Sequence, residues 1–413
     1  MKNRKVLILG GGVAGCSAAY FLMKRGYKVT IIEKSDYVGG MSRTHYYAGH
    51  PYEFGPHIWF WPHEDINNVI RELTNDQLYY IERPLLSFIE KDRAFYRYPI
   101  HFADIKKMPD RSTILKQLRK SRDKNYKLIE RKLPKLGKCS FEEYFMSAIG
   151  KNLYDKFMKN YTWKMWNIPG DKLKTSIVWA DRIKHNYEGL NGYDPIKFEE
   201  HPLGKGIKFQ IYPKKGWNVV WERMAKGAKL RLKEAVIKIE KSKGDYFIRT
   251  NRAKYYFKDY CAVISTLSID NLWGEDSLPY TGRIILPIIF KDLAWAFRGK
   301  IESVYYPGIE FQTRVTEMKR ITRHKSKDTL IIVEVPIDGC IKNTFPENVM
   351  IDKHYRRQAY PQQSKEAIKK YNYYLNKSKK IKNLFLLGRL SEFKYWGMPE
   401  TVNSAYQLIK NNF

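Results

Sequence analysis

Lys5-Val-Leu-Ile-Leu-Gly-Gly-Gly-Val-Ala-Gly15, running on through Glu33-Lys34 to Gly39-Gly40, is the stretch whose reading decides the fold. Val6 to Leu9 form an apolar run of the kind that makes a buried parallel strand. Gly10-x-Gly12-x-x-Gly15 follows at once and opens a helix of small residues, Cys16-Ser-Ala-Ala-Tyr-Phe-Leu22. Gly26 closes that helix, and Lys28-Val-Thr-Ile-Ile32 reads as a second strand ending in Glu33. Gly10 permits the tight turn, Gly12 lets the backbone approach a diphosphate, and Gly15 lets helix and strand pack closely. Val13 and Ala14 begin the helix, whose free N–H groups and positive dipole end face the same anion. Glu33, eighteen residues past Gly15, is placed to accept hydrogen bonds from ribose hydroxyls. With strand, turn, helix and acid in register, the stretch predicts a dinucleotide site.

At 413 residues the chain is long for one core, so two or three domains are expected. A hydrophobic share of 43% is ample for burial and excludes a disordered chain. Cys16, Cys139, Cys261 and Cys340 are scattered without metal-ligand spacing, so neither a zinc site nor a disulfide scaffold is expected. The first strand starts by Lys5 and no apolar run reaches the length of a bilayer span. A cytoplasmic protein is therefore expected, with the inner face of the membrane as a candidate contact. The formal net charge of +32 favours anionic partners, among them nucleotide-linked substrates, nucleic acid and acidic membrane surfaces. No specific nucleic-acid motif accompanies it. Between Lys106 and Lys138, thirteen Lys/Arg stand against three acids, and Ile114, Leu115 and Leu118 add a short apolar side. Such a helix is either a solvated face or a peripheral membrane contact.

Further along, residues 64–74 read as a helix and 85–98 as a hairpin turning at Lys91-Asp92-Arg93. From about 103 to 188 the pattern is helical, with a capping box at Ser140-Phe-Glu-Glu143. α/β character returns near Gly216, through a helix over 217–226, a strand containing Val236, and Cys261-Ala-Val-Ile-Ser-Thr266. Residues 283–335 alternate as strands, and Leu384-Phe-Leu-Leu-Gly-Arg389 precedes a final helix from about Pro399. This predicts an α/β fold: a discontinuous Rossmann-like FAD-binding domain with an inserted helical domain and a second antiparallel sheet domain. The expected boundaries are 1–80, 205–275 and 375–413 for the FAD domain, 100–204 for the helical domain, and 81–99 with 276–374 for the sheet domain. Two separated α/β blocks favour FAD over a nicotinamide, because distant segments then close over the isoalloxazine.

Four further stretches resemble the UDP-galactopyranose mutase family of the FAD-containing amine-oxidase-like superfamily. They are Phe54-Gly-Pro-His-Ile58, Tyr161-Thr-Trp-Lys-Met-Trp166, Gln312-Thr-Arg-Val-Thr-Glu317 and Gly388-Arg-Leu-Ser-Glu-Phe-Lys-Tyr-Trp396, in the family's order and with similar gaps. The resemblance implies that Tyr161, Thr162 and Trp166 hold uracil, that Arg314 binds the substrate diphosphate, and that Tyr395 reaches flavin and diphosphate. For the family's second arginine, on a loop that closes on the diphosphate, the corresponding stretch Asp181-Arg-Ile-Lys-His-Asn-Tyr187 offers Arg182, Lys184 or His185. Around the cofactor it implies Lys34, Met41, Arg43, Gly55, His57, Ile58, Val236, Gly388, Arg389, Gly397 and Met398, beside the glycines and Glu33 already named. His57, Arg314 and Tyr395 are the expected catalytic residues. The implied reaction interconverts pyranose and furanose forms of a UDP-sugar through an adduct on N5 of reduced FAD, for cell-surface glycan synthesis. NAD(P)H is a candidate external reductant, and a homodimer is compatible with the resemblance.

The residues themselves suit those places. Tyr161 and Trp166 offer flat surfaces for a base, and Arg314 a donor fork that a lysine would not match. No metal cluster or acid–base dyad stands out. The generic superfamily signature alone also fits an amine-oxidase-like or desaturase-like oxidoreductase, and the charge alone fits a peripheral binding protein.

Overall fold

The computed structural model describes residues 4–60, 64–81, 83–173, 190, 210–337 and 360–413. Arg182 and the surrounding stretch Asp181–Tyr187 lie outside the described residues. The first sheet is parallel throughout and five-stranded, in the order Lys229–Arg231, Lys28–Ile32, Lys5–Leu9, Ala262–Ser265, Leu384–Leu386. Its central strand is apolar along its length because both its faces are covered. Val6 and Ile8 join a core with the helices Val13–Lys24, Asn218–Ala225 and Met398–Asn412, while Leu7 and Leu9 join Ile239 and Ile248 of a three-stranded sheet on the other face, with Phe257 in the turn that follows it. A side chain at Gly15 would run into the Gly10 carbonyl, so the helix lies on the strand only because that position has no Cβ.

The second sheet has six strands, in the order Arg283–Phe290, Thr329–Pro336, Arg314–Glu317, Ser303–Tyr305, Leu85–Ile89, Ala94–Tyr98. Neighbours are antiparallel except Ser303–Tyr305 and Leu85–Ile89, which run parallel where two distant pieces of chain meet. Pro287 sits in the edge strand Arg283–Phe290, where a missing N–H is tolerated.

The helical layer is built on Phe141–Ile149, capped by Ser140 and Glu143 acting on each other's backbone N–H groups. The helix Lys151–Tyr154 continues through a π-helical turn at Asp155–Lys159 into Asn160–Trp166. Within the basic segment, Arg111–Leu118 is helical and its Ile114 and Leu118 are completely buried in this layer's core. The apolar side of that helix faces inward and its lysines and arginines form a solvated face. A fifteen-residue helix, Lys365–Lys379, went unread in the sequence because its buried positions are Ala367, Tyr374 and Ser378, too few and too polar to give a helical period. Among the described residues no helix is long and apolar enough to cross a membrane.

Candidate active site

The glycine turn sets one wall. Gly10 takes a positive φ of 99°, and its N–H donates to the Ile32 carbonyl at 2.8 Å. The Gly11 N–H donates to Glu33 Oε2 at 2.7 Å and the Ser35 N–H to Glu33 Oε1 at 2.8 Å, so the acid after the second strand fixes the turn's shape. Gly12 heads the twelve-residue helix without a side-chain cap, and a Cβ there would meet no protein atom within 4 Å. A helix N-terminus beside open space is what a dinucleotide's diphosphate needs, so these residues fit FAD. The second glycine pair closes on the first: Gly39 N–H donates to the Gly11 carbonyl at 2.8 Å, and a Cβ on Gly40 would come within 3.1 Å of the Gly12 Cα. Gly39 has a φ of 105° and leaves room for the Trp221 ring. Arg43 reaches back to the Val38 carbonyl at 3.1 Å and to Glu222 at 3.0 Å, and Met41 lies in the short 3-10 helix Gly40–Ser42 just before it. Lys34 points into solvent. Val236 starts the strand just after Glu234, whose N–H donates to the Glu33 carbonyl at 2.9 Å.

The far end of the chain returns to this turn. A Cβ on Gly388 would stand 2.8 Å from that of Ala14, so the 388–397 loop lies directly on the first helix. Arg389 crosses the loop to the Trp396 carbonyl at 2.6 Å and lies over the rings of Tyr360 and Tyr395, at 5.3 and 5.2 Å. Gly397 then heads the last helix, whose first residue, Met398, is buried.

Gly55, His57 and Ile58 bridge from the turn to the second sheet. Gly55 has a φ of 97°, and a Cβ on it would press on the Arg314 guanidinium at 3.3 Å. His57 donates its backbone N–H to Glu53 Oε2 at 3.1 Å, and its Nδ1 has no hydrogen-bond partner. Burial, with the charges of Arg389 and Arg314 alongside, lowers the His57 pKa to about 3. Glu53 is fully buried, and that burial raises its pKa to about 8 although Tyr212, Thr44 and the His57 N–H all bond to it. The 3.7 Å approach of His57 Nδ1 to Glu53 is therefore a contact between two neutral groups at neutral pH, not an ion pair.

Arg314 is the centre of charge. Its strand neighbour Glu334 takes Nε at 2.6 Å, and Tyr305 OH accepts from its NH1 at 3.1 Å. Burial opposes its charge, but Glu334 outweighs that and holds the guanidinium protonated well above its usual range. Tyr305 stacks on Tyr98 at 4.4 Å and meets the edge of Tyr161 at 5.8 Å. Trp166 is buried edge-on against Tyr395, at 5.1 Å, and Tyr360, at 5.9 Å, while Thr162 is buried within its helix. The helix Asn160–Trp166 is pinned to the sheet by Lys164, whose ammonium donates to the carbonyls of Tyr306 at 2.8 Å and Gln312 at 3.1 Å. The geometry thus gathers Gly55, His57, Tyr161, Arg314, Arg389 and Tyr395 into one region. It sets Tyr161 and Trp166 on different neighbours rather than face to face.

Sequence reasoning missed several members of this cluster. Glu334 could have been seen as the one acid in Thr329–Pro336, a strand otherwise apolar apart from its first residue. Glu53 could have been seen as an acid between two aromatic residues, Tyr52 and Phe54. Tyr98, Tyr305 and Tyr360 carried no local signal, since nothing in their own stretches tells a site tyrosine from a core one.

Fold and site together define a Rossmann-type flavoprotein whose helical layer meets the 388–397 loop that lies on its first helix. A family profile for an NAD(P)-binding Rossmann-like domain matches residues 8–73, and the profile for UDP-galactopyranose mutase matches residues 156–395, more than half the chain. The chain belongs to the UDP-galactopyranose mutase family, whose members are flavin-dependent isomerases. It is 23% identical to a probable UDP-galactopyranose mutase of Klebsiella pneumoniae, over 98% of this chain and 94% of that one. It is equally 23% identical to a dTDP-fucopyranose mutase of Escherichia coli, over 99% of both. A crystal structure of reduced UDP-galactopyranose mutase superposes with a TM-score of 0.75 at 18% identity, covering 99% of this chain and 95% of that one. The oxidoreductase alternative is left with a distant superfamily relation.

Proposed function

We propose that this chain interconverts the pyranose and furanose forms of a nucleotide-linked hexose, UDP-galactose in the first instance, with FAD held in the reduced state. The product would feed cell-surface glycan synthesis, and NAD(P)H would serve as external reductant. The observation that carries the reading is the convergence of Arg314, Arg389 and Tyr395 beside Gly55 and His57, opposite the helix that bears Tyr161. The chemistry that reduced FAD supplies when bound is nucleophilic displacement of the nucleoside diphosphate at the anomeric carbon.

The chain's own residues do the rest. Gly12 and the N–H groups after it would hold the cofactor's diphosphate, with Glu33 at a ribose. Arg314, fixed by Glu334 and Tyr305, presents a pre-oriented guanidinium to the substrate's diphosphate, so little reorganisation accompanies departure of the leaving group. Arg389, fixed by Trp396, adds a second positive charge from the cofactor side. Tyr161 gives the base a flat apolar surface. His57, kept neutral, can accept a hydrogen bond at Nδ1 without adding charge beside the two arginines.

The test is conversion of UDP-galactopyranose by dithionite-reduced protein against an oxidised control. Turnover only after reduction is expected. Failure of the reduced protein to bind or convert any nucleotide-sugar overturns the reading. Faster turnover of dTDP-fucopyranose would change the sugar and base but keep the reaction.

A further inference from the structure

At one end of the second sheet a cavity of about 940 Å³ opens between three pieces of chain. They are marked by Tyr80, Ile81 and Pro84, by the loop after the edge strand Arg283–Phe290, and by the residues following Glu317. Among the described residues that line it, five carry positive charge (Lys300, Lys319, Arg320, Arg323 and Lys325) and none carries a carboxylate. The acids packed behind it are committed. Glu317 is completely buried and holds Arg320 at 3.1 Å and the Ala296 N–H at 2.7 Å, and Asp328 holds Lys291 at 2.8 Å. Lys319 is likewise spent on the wall, donating to the carbonyls of Ala294, Ser326 and Asp328. Arg323 and Lys325 are exposed at the mouth, Arg323 steadied by the Tyr80 carbonyl at 2.7 Å and by the Tyr79 ring.

The rim is apolar. Trp295 is 44% exposed with Arg320 lying over its ring at 3.8 Å, and Leu293 beside it is 42% exposed. Ile288 and Phe290, two apart on the edge strand that leads into this loop, also face solvent. Exposed large apolar side chains on one side of a cationic cavity, with an indole among them, match the boundary between lipid headgroups and acyl chains. The basic segment 106–138 lacks this pairing, because its apolar residues face the protein core.

We propose that this cavity receives the phosphate headgroup of an anionic phospholipid, and that Leu293 and Trp295 seat the protein on the bilayer surface. The commitment to a lipid rests on the charge complementarity together with the apolar rim. A soluble phosphate needs the cations but gains nothing from an exposed leucine and tryptophan. The site is distinct from the nucleotide-sugar region and does not depend on the substrate proposed above.

The experiment is sedimentation of the flavin-loaded chain with phosphatidylcholine vesicles, with and without phosphatidylglycerol, at roughly 0.15 M salt where free surface fields are screened. Binding only to the phosphatidylglycerol vesicles is expected. Arg323→Ala with Lys325→Ala should cut partitioning roughly thirtyfold, on the scale of two cations at an anionic surface. Leu293→Glu should weaken it without touching the cations. The control pair Lys116→Ala with Arg119→Ala removes the same charge from the solvated helix and should bind as wild type. Bound flavin absorbance verifies that each variant is folded. Equal loss in the two charge pairs would overturn the proposal, because the overall positive field would then suffice. Glycerol 3-phosphate binding by calorimetry without vesicle binding would also overturn it and leave a soluble-anion site.

Discussion

At the scale of the residue, the paired state of Arg314 governs what a substitution there will report. Its carboxylate partner Glu334 is almost wholly buried, with 6% of its side chain exposed. Arg314→Ala therefore removes the proposed diphosphate ligand and strands a buried charge in one step, and breaking such a pair costs about 3–5 kcal/mol. The single variant should lose both UDP affinity and thermal stability. Adding Glu334→Gln should restore most of the stability but none of the UDP binding. Calorimetric titration with UDP, run beside thermal unfolding, separates the two effects. UDP affinity regained in the double variant would show that Arg314 acts only through the fold.

At the scale of the element, one buried ammonium ties the helix Asn160–Trp166 to the second sheet. Lys164 is 3% exposed, and its two carbonyl acceptors belong to the loop that leads into the Arg314 strand. Lys164→Met keeps the bulk and deletes the donors, leaving carbonyls unsatisfied at about 1–3 kcal/mol each. The helix should then shift relative to Arg314, so that KM for the nucleotide-sugar rises several-fold while kcat changes little. Steady-state kinetics of the reduced enzyme decide it: a fall in kcat at unchanged KM would assign Lys164 to the chemistry rather than to placement. The spacing of this helix's aromatics was legible in the sequence, whereas the lysine's partners, some 140 residues away, were not.

At the scale of the whole molecule, the seam between the two sheets carries a titration of its own. Glu53 sits in that seam with a pKa near 8 against an ordinary value of 4.5. A carboxyl whose pKa is raised by folding holds its proton longer in the native state than in the unfolded chain. Stability must therefore fall as pH rises from about 4.5 to 8 and level off above that. His57 has the opposite sign: with its pKa lowered from 6.5 to about 3, it costs stability as pH drops through that window. Glu53→Gln keeps one oxygen to accept from the His57 N–H, turns its amide N–H toward Thr44 Oγ1, and cannot ionise. Its thermal midpoint relative to wild type should climb steadily between pH 5 and 8, and a constant difference across that range would refute the assignment.

The first strand, the glycine turn and Glu33 were readable because each is set by neighbours in sequence: steric room at Gly10, Gly12 and Gly15, and a spacing that one strand–helix–strand unit imposes. The capping box at Ser140 and the hairpin at 85–98 were readable for the same reason. Local pattern could not decide which tyrosines are site residues, nor that Arg314 meets Glu334, nor that Gly388 lands on Ala14. Those depend on strands brought together from distant parts of the chain, where energy is settled by long-range packing and by burial of charge. The sequence by itself determined that a dinucleotide would be held at Gly10 to Gly40 and on what kind of scaffold. Only the tertiary structure decided which side chains face that turn and what charge each carries there, because desolvation and the charges nearby exist only once the chain has folded.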